Sequence, residues 1–375
     1  MSADFNLYGP IGDLGYGIYT RGVIKGLISN GFFDFHISPV GQIQIEDRIE
    51  GQSIAQQSKE VLWNRNAPSM AVWHEFDLGK FSGNKMIAHP IFETTKFNPQ
   101  AINYLSQMDA IVAPSKWAKD VIEANIGDGI TPVHIIPGAA ESVEMETQRN
   151  AAAFTFLTIG KLEVRKSHLE TMQAYIQAFA DTDTDTRLIC HCHNPFTKNF
   201  TANIVSIFNQ LGLEVVNYAT TTGSIVGRKG AAFIEVPKAR IPKEQIFRLY
   251  NYAHVGVFPS KGEGWNLPLM EAIKSGLPCI ATNYSAHTEY LTREYGYPQD
   301  LLLNDYEMIT ANDGLYFHGD RGEWAAVKVD DLADKMLFAY NNYSDICEEF
   351  ASEKVSESFT WKKTGTELIK LINSL

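Results

Sequence analysis

Residues 255–282, VGVFPSKGEGWNLPLMEAIKSGLPCIAT, constrain this chain more than any other stretch. The apolar run Val255, Gly256, Val257 and Phe258 reads as a short buried strand, followed by a glycine-punctuated loop and a helix with marked ends. Asn266 is expected to cap that helix. Pro268 suits its first turn, where a missing N–H costs nothing, and Gly276 suits its end, before Cys279, Ile280 and Ala281 open another strand. Two glutamates, Glu263 and Glu271, therefore straddle a strand-to-helix turn. In open α/β sheets that turn lies at the carboxyl edge where ligands bind, and the first N–H groups of the helix are available to an anion. The two carboxylates face an expected phosphate site.

The same alternation runs through the rest of the chain. Strands are expected at 5–8, 33–37, 70–74, 85–89, 110–113 and 133–136. Between the first two, Tyr19, Val23, Ile24, Leu27 and Ile28 recur at helical spacing until Gly31. Ser115 can cap the helix carrying Val121 and Ile122, and Asn98 followed by Pro99 can open the one before it. Alternation of this kind predicts a parallel sheet with helices on both faces, a Rossmann-like domain over residues 1–145. Residues 142–152 are polar and aperiodic, which marks a linker. The pattern then restarts with a strand at 154–159 and a helix bearing Leu169, Met172, Tyr175, Ile176 and Phe179, giving a second Rossmann-like domain over 152–355. Trp361, Leu368, Leu371 and Ile372 mark a final amphipathic helix within 356–375. A length of 375 residues suits two such cores better than one.

Composition excludes several classes. A formal net charge of −12 argues against general nucleic-acid affinity, which depends on Lys and Arg neutralising phosphates. The N-terminus has no basic, apolar and small-residue succession, and no apolar run approaches the length that spans a bilayer, so the chain is expected to be cytoplasmic. Four irregularly spaced cysteines suit reduced thiols. Cys190, His191, Cys192 and His193 carry zinc-ligating residue types, yet on a strand the thiols share one face and the imidazoles the other, so buried core thiols are the expected reading and no metal site is assigned.

Two further loops carry chemistry. Gly9, Gly12, Gly15 and Gly17 punctuate the first strand-to-helix turn, where backbone can approach a bulky ligand, but the dinucleotide fingerprint is absent. Lys161, Arg165 and Lys166 follow the strand at 154–159 and precede a helix, again an anion geometry, with the lysines as point charges and the arginine able to fork onto a phosphate. Asp181, Asp183 and Asp185 have the spacing of some metal-dependent sugar transferases, but they join a helix to a strand and read as an exposed turn.

The run Phe258, Pro259, Ser260, then Glu263, Gly264, then Leu267, Pro268, Leu269, Met270, Glu271, Ala272 resembles the E-x7-E signature of glycosyltransferase family four, retaining nucleotide-sugar transferases with the GT-B fold. The resemblance extends in the family's order to Gly160, Lys161, Leu162, Arg165 and Lys166, to Phe92, Glu93 and Thr94, to the N-terminal glycine loop, and to Phe359, Thr360 and Trp361. It implies two Rossmann-like domains facing a central cleft, with the helix in 356–375 crossing back to the N-terminal domain. Glu271 would accept hydrogen bonds from the donor ribose, Glu263 would meet the transferred sugar, and the backbone of Asn266 and Leu267 would meet the diphosphate or sugar. Lys161 and Lys166 would neutralise the leaving diphosphate, Lys166 as part of the catalytic set, and Gly15 and Gly17 would approach the donor. An active-site histidine is implied near residues 89–93: His89 is the first choice, Glu93 the second and His74 the third.

What the resemblance implies is sugar transfer from a nucleotide-diphosphate sugar to a glycan, lipid-linked or small-molecule acceptor, with no metal or other cofactor and no nucleic-acid partner. Peripheral contact with the inner face of a membrane is left open. A catalytically inactive nucleotide-sugar-binding subunit is the alternative. The chain departs from the family's pattern in Lys161 for arginine, Ser167 for glycine and Trp265–Asn266 for Phe-Gly, the last bearing on sugar selection. Trp73 and Trp117 are candidates for the acceptor side.

Overall fold

The computed structural model describes residues 2–143, 149, 153–216, 223–314 and 319–375. The first sheet is wholly parallel, in the order β2-β1-β3-β4-β5-β6: β1 (Phe5–Gly9), β2 (Phe35–Pro39), β3 (Ser69–Trp73), β4 (Met86–Pro90), β5 (Ala110–Ala113) and β6 (Val133–Ile135). Its helices are α1 (Gly15–Ser29), α2 (Arg48–Glu60), α3 (Pro99–Leu105) and α4 (Lys116–Ile126). The expected caps form: Ala118 N–H donates to Ser115 Oγ at 3.1 Å and Ala101 N–H to Asn98 Oδ1 at 2.8 Å. Helix α2 was not expected. It buries only Ile54, so it lacks an apolar stripe, although Asp47 caps it by accepting from Ile49 and Glu50.

The second sheet runs β14-β13-β12-β7-β8-β11-β10-β9. Its strands are β7 (Phe154–Ile159), β8 (Thr186–His191), β9 (Glu214–Val216), β10 (Ile225–Lys229), β11 (Ala232–Val236), β12 (Val255–Phe258), β13 (Cys279–Thr282) and β14 (Leu303–Asn304). It is mixed rather than wholly parallel, because β10 runs antiparallel to both β9 and β11. Around it lie α5 (His168–Phe179), α6 (Phe200–Gln210), α7 (Lys243–Tyr252), α8 (Leu267–Lys274), α9 (His287–Tyr290), α10 (Gln299–Leu302), α11 (Val329–Asn341), α12 (Tyr343–Glu349) and α13 (Ser352–Ser358). A separate hairpin, β15 (Tyr306–Thr310) and β16 (Glu323–Val327), follows β14. Most of the expected linker at 142–152 lies outside the described residues.

Both sheets reverse direction beside their first strand, the first between β1 and β3 and the second between β7 and β12. A reversal leaves the loops on either side diverging, which opens a crevice at the carboxyl ends. The loops bearing Lys161 to Lys166 and Glu263 leave neighbouring strands at such a point, since β7 and β12 pair directly.

The last helix, α14 (Trp361–Ser374), packs across α1 in the first half. Thr364 Oγ1 donates to the Pro137 carbonyl at 2.8 Å, and Trp361, Leu368, Leu371 and Ile372 are buried. The helices meet backbone to backbone at Gly26 and Gly365. A Cβ on Gly26 would lie 2.3 Å from the Trp361 carbonyl oxygen. Gly26→Ala is therefore expected to destabilise the protein by about 1–3 kcal/mol through overpacking, read as a lowered thermal midpoint. An unchanged midpoint would show that the helices can move apart freely.

Among the described residues no helix is long and apolar enough to cross a membrane.

Candidate functional site

The loop after β7 forms a short 3-10 turn over Val164–Lys166, and α5 starts after Ser167, whose backbone is left-handed at φ 55°. The loop after β12 ends at Asn266, also left-handed at φ 67°, where α8 starts. Neither residue caps its helix with its side chain. The expected Asn266 cap is thus corrected: its Nδ2 donates to His287 Nε2 at 2.9 Å, while His287 Nδ1 donates to the Thr282 carbonyl at 2.9 Å. Ser167 Oγ instead accepts from Lys261 Nζ at 3.1 Å. Among the described residues no side chain caps the first turns of α5 and α8, which lie at the switch point of the sheet.

Lys261 stitches these loops together. It is buried, its Nζ also donates to the Val164 carbonyl at 2.7 Å and pairs with Glu170 at 2.6 Å, and its backbone N–H donates to the Arg165 carbonyl at 2.8 Å. His168 holds the other side: its Nε2 lies 3.1 Å from the Lys161 carbonyl oxygen and its Nδ1 lies 3.6 Å from Cys190 Sγ. Ser285 Oγ accepts from the Glu263 N–H at 2.9 Å. None of these three was singled out from the sequence. A lysine in a polar loop resembles a solvated one until the fold buries it.

The carboxylates and cations converge. Glu263 is 4% exposed, with Arg165 Nη1 at 2.9 Å and Lys166 Nζ at 2.5 Å. Arg165 also donates to the Gly262 carbonyl at 2.8 Å and reaches Glu163 at 3.3 Å and Glu93 at 3.6 Å, while Lys161 pairs with Glu163 at 2.6 Å. Burial alone would raise the Glu263 pKa, but Arg165 and Lys166 outweigh it and hold the group at about 2. Burial raises Glu93 above the ordinary carboxylate range and lowers Lys166 below the ordinary lysine value. The expected forking of Arg165 onto a phosphate does not fit this arrangement, because both of its terminal nitrogens already face carboxylates.

Glu271 lies apart from this cluster, in α8, with Tyr250 Oη donating to it at 3.4 Å and Lys243 Nζ at 3.9 Å. Burial pushes its pKa up to about 7 despite Lys243. Leu267 begins α8, directly after Asn266.

In the first half the expectations need correction. His89 is wholly buried: Nδ1 donates to the Val112 carbonyl at 2.9 Å, which leaves Nε2 to accept from Tyr19 Oη at 3.1 Å. Both ring nitrogens are occupied in the core, and burial lowers the pKa to about 4. His74 is the imidazole beside the glycine loop, with Tyr16 Oη 3.1 Å from its Nδ1. Tyr16 Oη can donate to the Ile91 carbonyl at 3.2 Å, and His74 Nδ1 then carries a hydrogen, which leaves Nε2 with its lone pair and, among the described residues, no hydrogen-bond partner. Burial and then the charge of Lys161 lower the His74 pKa to about 4, against the opposing pull of Asp77. Gly15 has open space around it, whereas Gly17 packs on Gly12, where a Cβ would lie 2.5 Å from the Gly12 nitrogen. Trp265 is buried against Tyr290 and Phe359, so it is not positioned to select a sugar. Trp117 packs on Phe92 and Tyr284, and Trp73 donates to Asp77 at 3.0 Å, so neither is a free acceptor platform.

The two halves touch through residues 91–97. A Cβ on Gly264 would lie 2.6 Å from the Ile91 side chain, and one on Gly262 2.6 Å from the Glu93 carbonyl oxygen. From the hairpin, Trp324 Nε1 donates to that carbonyl at 2.7 Å and the Glu323 N–H to Thr95 Oγ1 at 2.9 Å.

Residues 153–312 match the family described as "Glycosyl transferases group 1". Glycogen [starch] synthase isoform 1 of Saccharomyces cerevisiae is 32% identical over 120 residues, 31% of this chain and only 15% of that protein. Sucrose-phosphate synthase from Thermosynechococcus elongatus superposes with a TM-score of 0.63 at 14% identity, covering 99% of this chain and 98% of that one. The trehalose 6-phosphate synthase of Burkholderia multivorans gives 0.62 at 11% identity over 100% and 99% of the chains. A pneumococcal O-GlcNAc transferase in complex with UDP and GlcNAc gives 0.52 at 15% identity over 83% and 57%. The chain has the GT-B fold.

Glu271 titrates from an ordinary value of 4.5 to about 7 on folding, so its stabilising proton is present below 4.5 and is lost as pH rises through 7. Glu271→Gln is expected to gain stability relative to the parent protein between pH 5 and 8, measured by denaturant midpoints. A constant difference across that range would place the carboxylate in a more polar setting.

Proposed function

We propose that this protein is a retaining glycosyltransferase of the family-four type, moving a sugar from a nucleotide-diphosphate sugar to a hydroxyl of a glycan, lipid-linked or small-molecule acceptor without a metal ion. The observation that carries this reading is the meeting of the β7 and β12 loops at the sheet's switch point. They set Lys166 on Glu263 and Lys161 on Glu163 beside two helix starts without side-chain caps. The family-level match over 153–312 covers both loops.

On this reading the donor diphosphate lies against the first turns of α5 and α8. Charge builds on it as the glycosidic bond breaks. Cations and N–H groups already in place stabilise that charge without reorganising at the moment of reaction. Among the described residues Lys166 has Glu263 as its sole ion-pair partner, and on donor binding it can turn to the phosphate. Glu263 then meets hydroxyls of the transferred sugar. The acceptor attacks from the face the diphosphate leaves, and a departing phosphate oxygen takes its proton, so the anomeric configuration is retained. Glu271 accepts hydrogen bonds from the ribose hydroxyls through its ionised form. His74, with Nε2 available, takes the active-site role first assigned to His89.

Because one structural neighbour was solved with UDP, UDP-sugars are the first donors to test. Slow hydrolysis of at least one of a panel of UDP-, GDP- and ADP-sugars is expected, and it should survive EDTA. Binding without turnover for every donor would overturn the enzymatic reading. Lys166→Ala is expected to lower kcat about 10²- to 10³-fold. Donor affinity should weaken as pH falls through 7, where Glu271 takes up a proton, and Glu271→Gln should abolish that dependence. Affinity independent of pH in the parent protein would remove Glu271 from the ribose.

A further inference from the structure

We propose that Arg165 is a positioning residue, which aims Glu263 at the transferred sugar and ties that aim to closure of the two halves through Glu93. The proposal rests on the glycosyltransferase reading above. Arg165 and Lys166 are adjacent cations on one carboxylate, yet their surroundings differ. Among the described residues Lys166 is paired only with Glu263. Arg165 is held at both terminal nitrogens, Nη1 by Glu263 and the Gly262 carbonyl, and Nη2 by Glu163 and Glu93. Its carbonyl is pinned by the Lys261 N–H. Turning Arg165 toward a diphosphate would break several buried contacts, whereas turning Lys166 breaks one. When Lys166 leaves, Arg165 alone keeps Glu263 paired and oriented, and a buried carboxylate without a partner is strongly disfavoured.

Glu93 is the member of this cluster contributed by the first half. Its position is gripped from the second half on two sides, by Arg165 at its carboxylate and by Trp324 at its carbonyl. Lys96 N–H donates to the Arg321 carbonyl at 3.1 Å, so the hairpin holds the same segment along its length. Trp324 lies beyond the 153–312 match, on an element separate from the main sheet. Opening the cleft separates Glu93 from Arg165 and loosens Glu263. The charged and titratable groups facing Glu263 are Arg165, Lys166, His287, Tyr290 and Glu93. Those facing Glu93 are Arg165, Glu263, Glu163, Lys166, Tyr16 and Glu75.

The test compares Arg165→Met, Arg165→Lys, Glu93→Gln and the Arg165→Met/Glu93→Gln double variant. In the unliganded protein, carbon-13 NMR of labelled glutamate, assigned with Glu263→Gln, follows the Glu263 titration. Arg165→Met should raise its midpoint by about one pH unit or more. With the best donor of the panel, kcat should fall more than about tenfold while the donor KM changes little, and Arg165→Lys should recover part of kcat. Glu93→Gln should lower kcat in the parent but add nothing in the Arg165→Met background. A Glu263 titration unmoved by Arg165→Met, or a loss confined to donor KM, would make Arg165 a donor ligand and overturn the proposal. Additive effects of the two substitutions would remove Glu93 from it. If Arg165→Met does not fold, Arg165→Lys alone and combined with Glu93→Gln decides by the same criteria. A panel without turnover defeats the enzymatic reading, and the NMR titration still decides the role of Arg165.

Discussion

A guanidinium buried among three carboxylates is the interaction on which the arrangement of this molecule depends. Charges taken out of water cost several kcal/mol each unless geometry and partners compensate. Here the three carboxylates of Glu93, Glu163 and Glu263 meet the three basic side chains of Arg165, Lys161 and Lys166. One carboxylate comes from the first half and the others from the second. The cluster is therefore complete only when the sheets face each other through their switch points. Elsewhere the halves are joined by Glu141, which pairs with Lys25 of α1 and Lys243 of α7, and by Lys274, which donates to the Ala140 and Phe359 carbonyls at 2.9 and 3.0 Å.

The two left-handed residues at the helix starts each brace a loop with their side chains. Ser167 and Asn266 both have positive φ. A side chain there costs roughly 1–2 kcal/mol relative to ordinary backbone. Each side chain offsets part of that strain by bracing a loop, Ser167 through Lys261 and Asn266 through His287. Glycine would leave both braces unmade. The loops that frame the proposed donor pocket are thus held by side chains as well as by sheet pairing, and neither helix start is obstructed by its own cap.

Much of the fold was legible because parallel strands and amphipathic helices leave strong periodic signals. The strand over 110–113, the caps Ser115 and Asn98 and the apolar face of α14 were readable from local spacing. Helix α2 was not, since a helix that buries one residue has little periodicity to read. The antiparallel edge β9 and β10 was missed because direction of pairing is a property of neighbours, not of a strand's own residues. The candidate site divides in the same way. Glu263, Glu271, Lys161 and Lys166 stood out by motif and context. His89 stood out equally well on those grounds, although its neighbours Val112 and Tyr19 occupy both of its ring nitrogens.

Local order of residues was enough to determine two alternating α/β halves, the strand-loop-helix turns that bear the charges, and the helix ends marked by proline and glycine. Those are short-range consequences of backbone geometry and apolar spacing. Which charges are free to meet a ligand was decided by the folded molecule alone, because burial and partners come from residues far apart in the chain. Arg165 looked like one more cation in a basic loop, and in the fold its terminal nitrogens face Glu93 and Glu263, while Lys166 pairs with Glu263.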